Sequence, residues 1–547
     1  STLSSSSAAS DVYKRQYQDI DPDLNFYRAN DLPITLLALA HAEKYVSTAE
    51  RLYRYHFRRG TSGHAVDGVE RFAFLLSGVD PISAISRRIE QLAEQTTDPQ
   101  SLLRCYESAR LHIIANVLRS CVRDTFGPLQ RTCLSMLEAR VGRLDVIRAA
   151  AGFCIEALDL LSLTAPEHAN HPAPRRSVLL HTAHLDTGGL QSVLLEQAAA
   201  LAAAGHTVTI AVLRHTPRQL DLPPGVTVEL VTGSAVSRID RWLEICRDHA
   251  VDVVIDHHIL YNENWAWYAL AALTADIPTI GWIHNFALRP VFDANQRTSF
   301  LTTHLRLLWR VVTLSRADVA FWKLRGLEHV VHLPNPLSPL ALSALERQPP
   351  RQYPDGRTEL VWWGRLDGPT KQVLQLVETA RELKARDVDF RLKIIGPASN
   401  NLTPAEVRAY AVEQGVDELI ELVEELDSDS LTSELASAHL LVSTSAIEGA
   451  PLTLVEAQAL GMPVVMYDLP WLSVAQGNDG MIRTAPGDPA ALAEAIAGVA
   501  ASRERYEQLS NASRSFAHSA ASVDVDALTV AVLDDEIPAE FSPEPTL

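Results

Sequence analysis

A chain of 547 residues is too long to fold around one hydrophobic core, so about two to four domains are expected. Apolar residues make up 47% and charged residues 21%, an ordinary globular balance, and no run of 18 apolar residues offers a membrane-spanning helix. A formal net charge of −19 argues against nucleic acid as the main partner, because a phosphate backbone asks for a basic surface. The five cysteines (Cys105, Cys121, Cys133, Cys154 and Cys246) are odd in number, widely spaced and without a C-x-x-C pair. That is the pattern of reduced thiols and of a cytoplasmic chain.

In chain order, Ser1–Gln16 resembles translated sequencing-adapter read-through and is expected to be a disordered artefact. Residues 17–163 read as helical, with apolar periodicity over Ile34–Lys44, Pro81–Glu94, Leu102–Arg123 and Leu129–Leu163. Within this region, Asp31-Leu-Pro-Ile, His41-Ala-Glu-Lys-Tyr-Val and Leu52-Tyr-Arg-Tyr-His-Phe-Arg-Arg-Gly-Thr-Ser62 loosely resemble the C-terminal end of a family 2 glycosyltransferase, over residues 17–65. That resemblance implies a remnant of an upstream transferase. The alternative is a helical module that packs against the rest of the chain or against a partner. Tyr53, Tyr55, Arg58 and Arg59 suit anionic lipid or polysaccharide, although packing with snorkelling cations is the commoner use of such residues.

Residues 164–174 form a Pro- and His-containing linker. His168 and His171 there raise a metal site, against which a flexible spacer is the plainer reading. From residue 175 the pattern becomes strands alternating with helices, as in a parallel sheet. Strands are expected at Ser177–His181, Thr207–Leu213, Val226–Val231, Val251–Asp256, Thr279–His284 and Val311–Ser315, giving a domain over 175–340. A hinge follows at 341–357. A second α/β domain over 358–515 has strands at Glu359–Trp363, Arg391–Ile395, Leu419–Leu422, Leu440–Thr444 and Pro463–Tyr467, and 516–547 is a C-terminal helix and tail.

Several loops at the ends of these strands carry residues suited to oxygen anions and hydroxyls. Gly364-Arg365-Leu-Asp-Gly-Pro-Thr-Lys371 lies between a strand and a helix. Its glycine permits close backbone approach, and its two cations suit phosphate. In Glu448-Gly-Ala-Pro451-Leu452-Thr453-Leu-Val-Glu456, seven residues separate two carboxylates. Pro451 fits the first position of a helix running Leu452–Leu460, and Gly461 fits its end. One carboxylate then precedes a helix N-terminus and the other lies one turn inside, with free N–H groups between them to favour an anion. Gly188-Gly189 opens a helix without forming the G-x-G-x-x-G fingerprint of a dinucleotide-binding dehydrogenase, which counts against an oxidoreductase. His284 ends a strand at the side where parallel sheets bind ligands. Ser315 and Asn335 follow later strands. Asp387-Val-Asp389 and Asp524-Val-Asp526 follow no strand into a ligand loop and read as solvated charge.

Taken in order, the Gly-Gly loop, His284, Ser315, Pro-Asn335-Pro, Gly-Arg365-Leu…Lys371 and Glu448…Glu456 resemble the retaining glycosyltransferases of family 4 across residues 175–537, with Gln372 where that family has a glycine. The resemblance implies a GT-B fold, an α/β architecture of two Rossmann-like domains facing across a cleft, here preceded by the mostly α-helical region. It implies that Arg365 and Lys371 bind the donor diphosphate, with Gly188, Gly189, Gly364, Pro451, Leu452 and Thr453 around it. Glu448 and His284 then meet the donor sugar and Glu456 the ribose, while Ser315 and Asn335 are framework residues within contact range. The implied substrate is a nucleoside-diphosphate sugar of the UDP or GDP type, with no cofactor and no metal. The implied acceptor is a polysaccharide or lipid-linked hydroxyl, selected by loops such as Leu185–Leu190 and Phe286–Arg297. Peripheral contact with the inner face of a membrane stays open, and Arg297, Arg306 and Arg310 could form a basic patch there, with a solvated helix face as the alternative. A nucleotide-sugar epimerase of the same architecture and a non-catalytic sugar-binding scaffold are the rival readings.

Overall fold

The computed structural model describes residues 31–41, 66–168, 176–186, 188–216, 222–347, 351–399 and 401–541. Ser1–Gln16, the Tyr53–Arg59 cluster and His171 lie outside the described residues. The chain divides into two compact units, one of residues 1–169, 231–245 and 266–277, the other of 170–230, 246–265 and 278–547.

The first unit is helical. Its helices include Asp31–His41, Val69–Leu76, Ser86–Ala93, Pro99–Asp124, Gly127–Val141, Arg143–Phe153 and Leu158–Leu163. Leu37, Ile82, Ile85, Ile89, Leu92 and Tyr106 close one buried cluster in it. The single helix expected over Leu129–Leu163 is broken twice. Gly142, at φ +87°, occupies a backbone region a helix cannot use, and the turn at Cys154 starts a 3-10 segment. Arg148 reaches from Arg143–Phe153 to three carboxylates: Glu107 at 2.6 Å, Asp145 at 2.9 Å and Asp240, on the segment 231–245, at 2.8 Å. The Arg148 side chain is only 15% exposed. Arg110 still pairs with Glu107 at 3.0 Å and with Asp145 at 2.5 Å, so the loss of Arg148 costs mainly Asp240 its ion pair, and Arg148→Ala is expected to destabilise this unit by about 1–3 kcal/mol. Thermal unfolding would register that loss as a lower Tm, and an unchanged Tm would refute it.

The second unit holds two parallel sheets. The first has strands β1 (Ser177–Thr182), β2 (Thr207–Val212), β3 (Thr227–Leu230), β4 (Val253–Asp256), β5 (Thr279–Ile283), β6 (Arg310–Thr313) and β7 (Val330–His332). Their order is β3-β2-β1-β4-β5-β6-β7. The second has β8 (Thr358–Trp363), β9 (Phe390–Ile395), β10 (Ile420–Val423), β11 (Leu440–Ser443), β12 (Val464–Tyr467) and β13 (Met481–Thr484), in the order β10-β9-β8-β11-β12-β13. Each order reverses once, between β1 and β4 and between β8 and β11, and such switch points are where open parallel sheets leave room for ligands. The edge strands β7 and β13 were not among the expected strands. Both are short, and β13 alternates buried and more exposed positions, so neither shows the long apolar run of a central strand.

Two expected boundaries move. The hinge expected over 341–357 begins inside a helix, Pro339–Arg347, whose Ala341 and Ala344 are buried with Leu454, Leu460 and Met462 of the second sheet's core. The helix Arg503–Ala521 runs through residue 515 without a break. After Asp524 caps the next helix, Val525–Asp534, Leu528, Val532 and Leu533 pack into the core of the first sheet. The helix Val525–Asp534 therefore returns to the domain of β1. The stretch Arg503–Asp534 contains a window of mean hydropathy 1.3, long and apolar enough by composition to cross a membrane. Only 28% of that window is buried, although Leu528, Val532 and Leu533 within the stretch are buried.

Candidate active site

β8 delivers the first loop. Gly364 donates its N–H to Ile395 O (3.0 Å), and Leu366 donates to Pro397 O (2.9 Å), so the loops after β8 and β9 lie backbone against backbone. A Cβ on Gly396 would stand 1.9 Å from Gly364 O, and its φ of +146° also requires glycine. Further on, Asp367 accepts from the Thr370 N–H (2.8 Å) and hydroxyl (2.6 Å). Burial works against that carboxylate, but these bonds hold its pKa below the ordinary value. Thr444 then donates its hydroxyl to Lys371 O (2.9 Å), and Ala446 donates its N–H to Thr370 O (2.8 Å). The loops after β8 and β11 are thereby fastened together. Gln372 adopts a left-handed backbone, φ +49° and ψ +44°, as the cap of the helix Val373–Ala385. A glycine would hold this position without the roughly 1–2 kcal/mol that the side chain costs.

The fastening brings the candidate residues together. Lys371 Nζ donates to Glu448 Oε1 at 2.5 Å, and these side chains are 27% and 12% exposed. Pro451, at φ −67° and ψ +122°, is the cap of the helix Leu452–Ala459 and not its first residue. No side chain caps that helix, so Leu452 and Thr453 present its N-terminus bare. Gly461, at φ +74°, follows the C-terminal turn. One turn inside the helix, Glu456 accepts from Trp363 Nε1 at 3.1 Å. Burial raises the Glu456 pKa, against the opposing hydrogen bonds from Ser338 and Trp363. Arg365 leans outward, 65% exposed, with Asp367 3.8 Å away.

At the ends of β4 and β5 stands a group of histidines. His181 Nδ1 lies 2.7 Å from Asp256 Oδ2, and the other oxygen of Asp256 accepts the His258 N–H at 2.7 Å. His257 Nδ1 lies 2.8 Å from His284 Nε2. Burial drives the His284 pKa down to about 3 and that of His258 to about 4, so both stay neutral near pH 7.

The two sheets meet at the Glu448 loop. A Cβ on Gly449 would fall 2.6 Å from His284 O and 2.7 Å from Asn285 Cα. Asn335 Nδ2 donates to Ala450 O at 3.1 Å. Phe286 stacks on Trp471 with ring centroids 4.4 Å apart and planes 6° apart, and Trp471 Nε1 donates to Glu448 O at 2.8 Å. The loop that carries Glu448, itself paired with Lys371, thus lies against the end of β5 that carries His284.

The family described as "Glycosyltransferase Family 4" matches residues 187–339, and that described as "Glycosyl transferases group 1" matches residues 357–502. The chain is a glycosyltransferase. It is 27% identical over 373 residues to the D-inositol 3-phosphate glycosyltransferase 2 of Catenulispora acidiphila, covering 60% of this chain and 87% of that one. Among solved structures, the sucrose-phosphate synthase of Thermosynechococcus elongatus superposes with a TM-score of 0.54 at 17% identity, covering 66% of this chain and 99% of that one. Anabaena HepE, in complex with UDP and glucose, gives 0.51 at 16% identity, covering 66% and 98%. The fold is GT-B, as the sequence led one to expect.

Other candidates in this glycosyltransferase lie elsewhere or serve the framework. Gly188 and Gly189 open the helix Gly189–Ala203 after β1. Ser315, 2% exposed, caps Arg316–Lys323, and its hydroxyl accepts from the Asp318 N–H at 3.1 Å, a framework role. Arg310 does not join Arg297 and Arg306 in a surface basic patch. Arg310 is buried on β6 and paired with Asp535, while Arg297 and Arg306 donate to the carbonyls of Leu260 and Thr303. Asp389 pairs with Arg357 on the surface, and Asp524 is a helix cap. Among the described residues no group of three His, Cys, Asp or Glu could hold a metal ion. Sequence reading missed His257, Phe286, Thr444, Gly449 and Trp471, whose importance comes from contacts distant in the chain.

Proposed function

We propose that the glycosyltransferase moves a hexose-like sugar, with retention, from a nucleoside-diphosphate donor of the UDP or GDP type to a hydroxyl of a polysaccharide or lipid-linked acceptor. It does so in cell-surface polymer or glycolipid synthesis, on the cytoplasmic side of the membrane. The observation that carries this reading is the Lys371–Glu448 pair beside the bare N-terminus of Leu452–Ala459. A diphosphate entering there meets Lys371, the outward-facing Arg365 and the helix N–H groups, and all three favour the charge that grows as it departs. The bond from the anomeric carbon to the diphosphate breaks, the bond to the acceptor oxygen forms on the same face, and the acceptor proton passes to the departing phosphate. Glu448 is tied to Lys371, which suits it to orienting sugar hydroxyls better than to attacking carbon. Glu456, polarised by Trp363, receives the ribose hydroxyls. The complex of HepE with UDP and glucose supports the donor class. The name of the Catenulispora relative supports a hydroxyl-bearing acceptor. Five free thiols support a reducing compartment.

A thermal-shift screen against UDP-, GDP-, ADP- and CDP-sugars tests the reading, since only a ligand that binds the folded state raises Tm. UDP- or GDP-sugars are expected to stabilise, and no response to any of the four would refute the proposal. Glu456→Ala is expected to weaken donor binding by about tenfold, the worth of a charge-assisted hydrogen bond. Unchanged donor affinity by titration calorimetry would remove Glu456 from the ribose.

A further inference from the structure

A second histidine stands behind His284. His257 is wholly buried at the end of β4, where its backbone N–H donates to His181 O at 2.9 Å. Its ring lies near that of Trp282 (centroids 5.8 Å apart, planes 24° apart) and meets that of His284 edge to edge (5.1 Å, 30°) through the nitrogen contact, so two neighbours hold its orientation. The contact of 2.8 Å between His257 Nδ1 and His284 Nε2 needs one proton between the two nitrogens.

Two neutral arrangements supply that proton. In one, His257 is protonated on Nδ1 and donates, leaving its Nε2 a bare lone pair. In the other, His284 donates from Nε2, and His257 must carry its own proton on Nε2. That atom is buried and has no hydrogen-bond partner. The second arrangement strands an N–H in the interior, and orphaned donors are the rarer and costlier defect. A charged His257 strands the same N–H and adds a buried cation, and burial already holds its pKa well below the ordinary value.

We propose that His257 is a positioning residue that fixes His284 as the Nδ1-protonated tautomer, so that His284 faces the cleft as a hydrogen-bond donor and not as a base. The proposal rests on reading His284 as a residue that meets the substrate. His284 then donates from Nδ1 to an oxygen of the sugar or acceptor. Its Nε2 is occupied by His257, which leaves it no site to collect a proton during transfer.

The direct test is 15N NMR of histidine-labelled protein, with His284 assigned through His284→Ala. A His284 protonated on Nδ1, with Nε2 unprotonated, is expected. An Nε2-protonated His284 overturns the proposal. Kinetics give the second arm. His257→Leu is expected to lower kcat/KM by about tenfold, the size of one such hydrogen bond. His257→Asn, whose amide N–H takes the place of Nδ1–H, restores most of that loss, and in a His284→Ala background His257→Leu costs nothing further. Equal losses from the Leu and Asn variants, or an undiminished loss in the His284→Ala background, mark a merely structural residue and overturn the proposal. Should His257→Leu fail to fold, the NMR measurement on the wild type still decides. Wild-type activity in His284→Ala would instead defeat the reading of His284 itself, with the tautomer still measurable.

Discussion

Lys371→Ala is expected to lower kcat by about 10²–10³-fold while the protein remains folded, the loss typical when one group that stabilises developing charge is removed. The side chain is held for that task before any ligand arrives. Thr444 fixes its carbonyl, the left-handed Gln372 turns the chain into the next helix, and Glu448 holds the ammonium at 2.5 Å. A diphosphate need only take over a cation already in place, with little reorganisation. The variant loses the cation and also leaves Glu448, whose side chain is 12% exposed, without its partner. Glu448 would then be free to swing from the position in which it meets the sugar, so both turnover and donor affinity suffer. Lys371→Arg should recover little, because a planar fork does not reproduce a point charge on a flexible stem. Steady-state kinetics with the stabilising donor decide the matter, and an alanine variant near the wild-type rate would end the charge-stabilising role.

The same pair shows how far a sequence reaches. Lys371 and Glu448 each stand out by type and by position after a strand, and the alternation of strands and helices marks both Rossmann-like domains, with errors of a residue or two at strand ends and without the edge strands β7 and β13. Their contact was not legible, because it depends on the parallel pairing of β8 with β11, which brings residues 77 apart in the chain to one edge. Gln372 looked like a departure from a motif. The backbone explains why glycine suits that position, since φ there is positive. Pro451 was placed one residue too far into its helix because proline satisfies the geometry of the first helical turn and of an extended cap alike. The helix Pro339–Arg347, which enters the expected hinge, is hidden for another reason. The hinge's prolines and polar residues conceal two alanines, Ala341 and Ala344, small enough to bury against Leu454 and Leu460. His257, Phe286 and Trp471 carry no motif at all. A histidine or aromatic residue at a strand end is an ordinary core residue until the fold shows what its polar edge or ring face meets.

Gly449→Ala is expected to cost about 10²-fold in kcat/KM with little change in Tm. The Gly449 backbone does not take the left-handed φ that would call for glycine, so what decides the effect of alanine is the space around its methyl. What the added methyl meets is the other domain: His284 O at 2.6 Å, Asn285 Cα at 2.7 Å and the His284 carbonyl carbon at 3.1 Å. All three are backbone atoms at the end of a central strand, and no rotamer change moves them aside. The loop carrying Glu448 must therefore back away from β5, pulling against the Asn335–Ala450 hydrogen bond and the Phe286–Trp471 stack. Each sheet keeps its own core, which is why stability should hold. The loss falls on alignment, because Glu448 shifts relative to His284, and a displacement near 1 Å at reacting groups is worth about 10² in rate. Donor binding, made mostly by the second sheet, should weaken less than turnover falls, so the variant separates kcat from donor Kd. Wild-type kinetics in Gly449→Ala would mean that the two domains part at this contact in the working enzyme, and that His284 and Glu448 do not act on one sugar together.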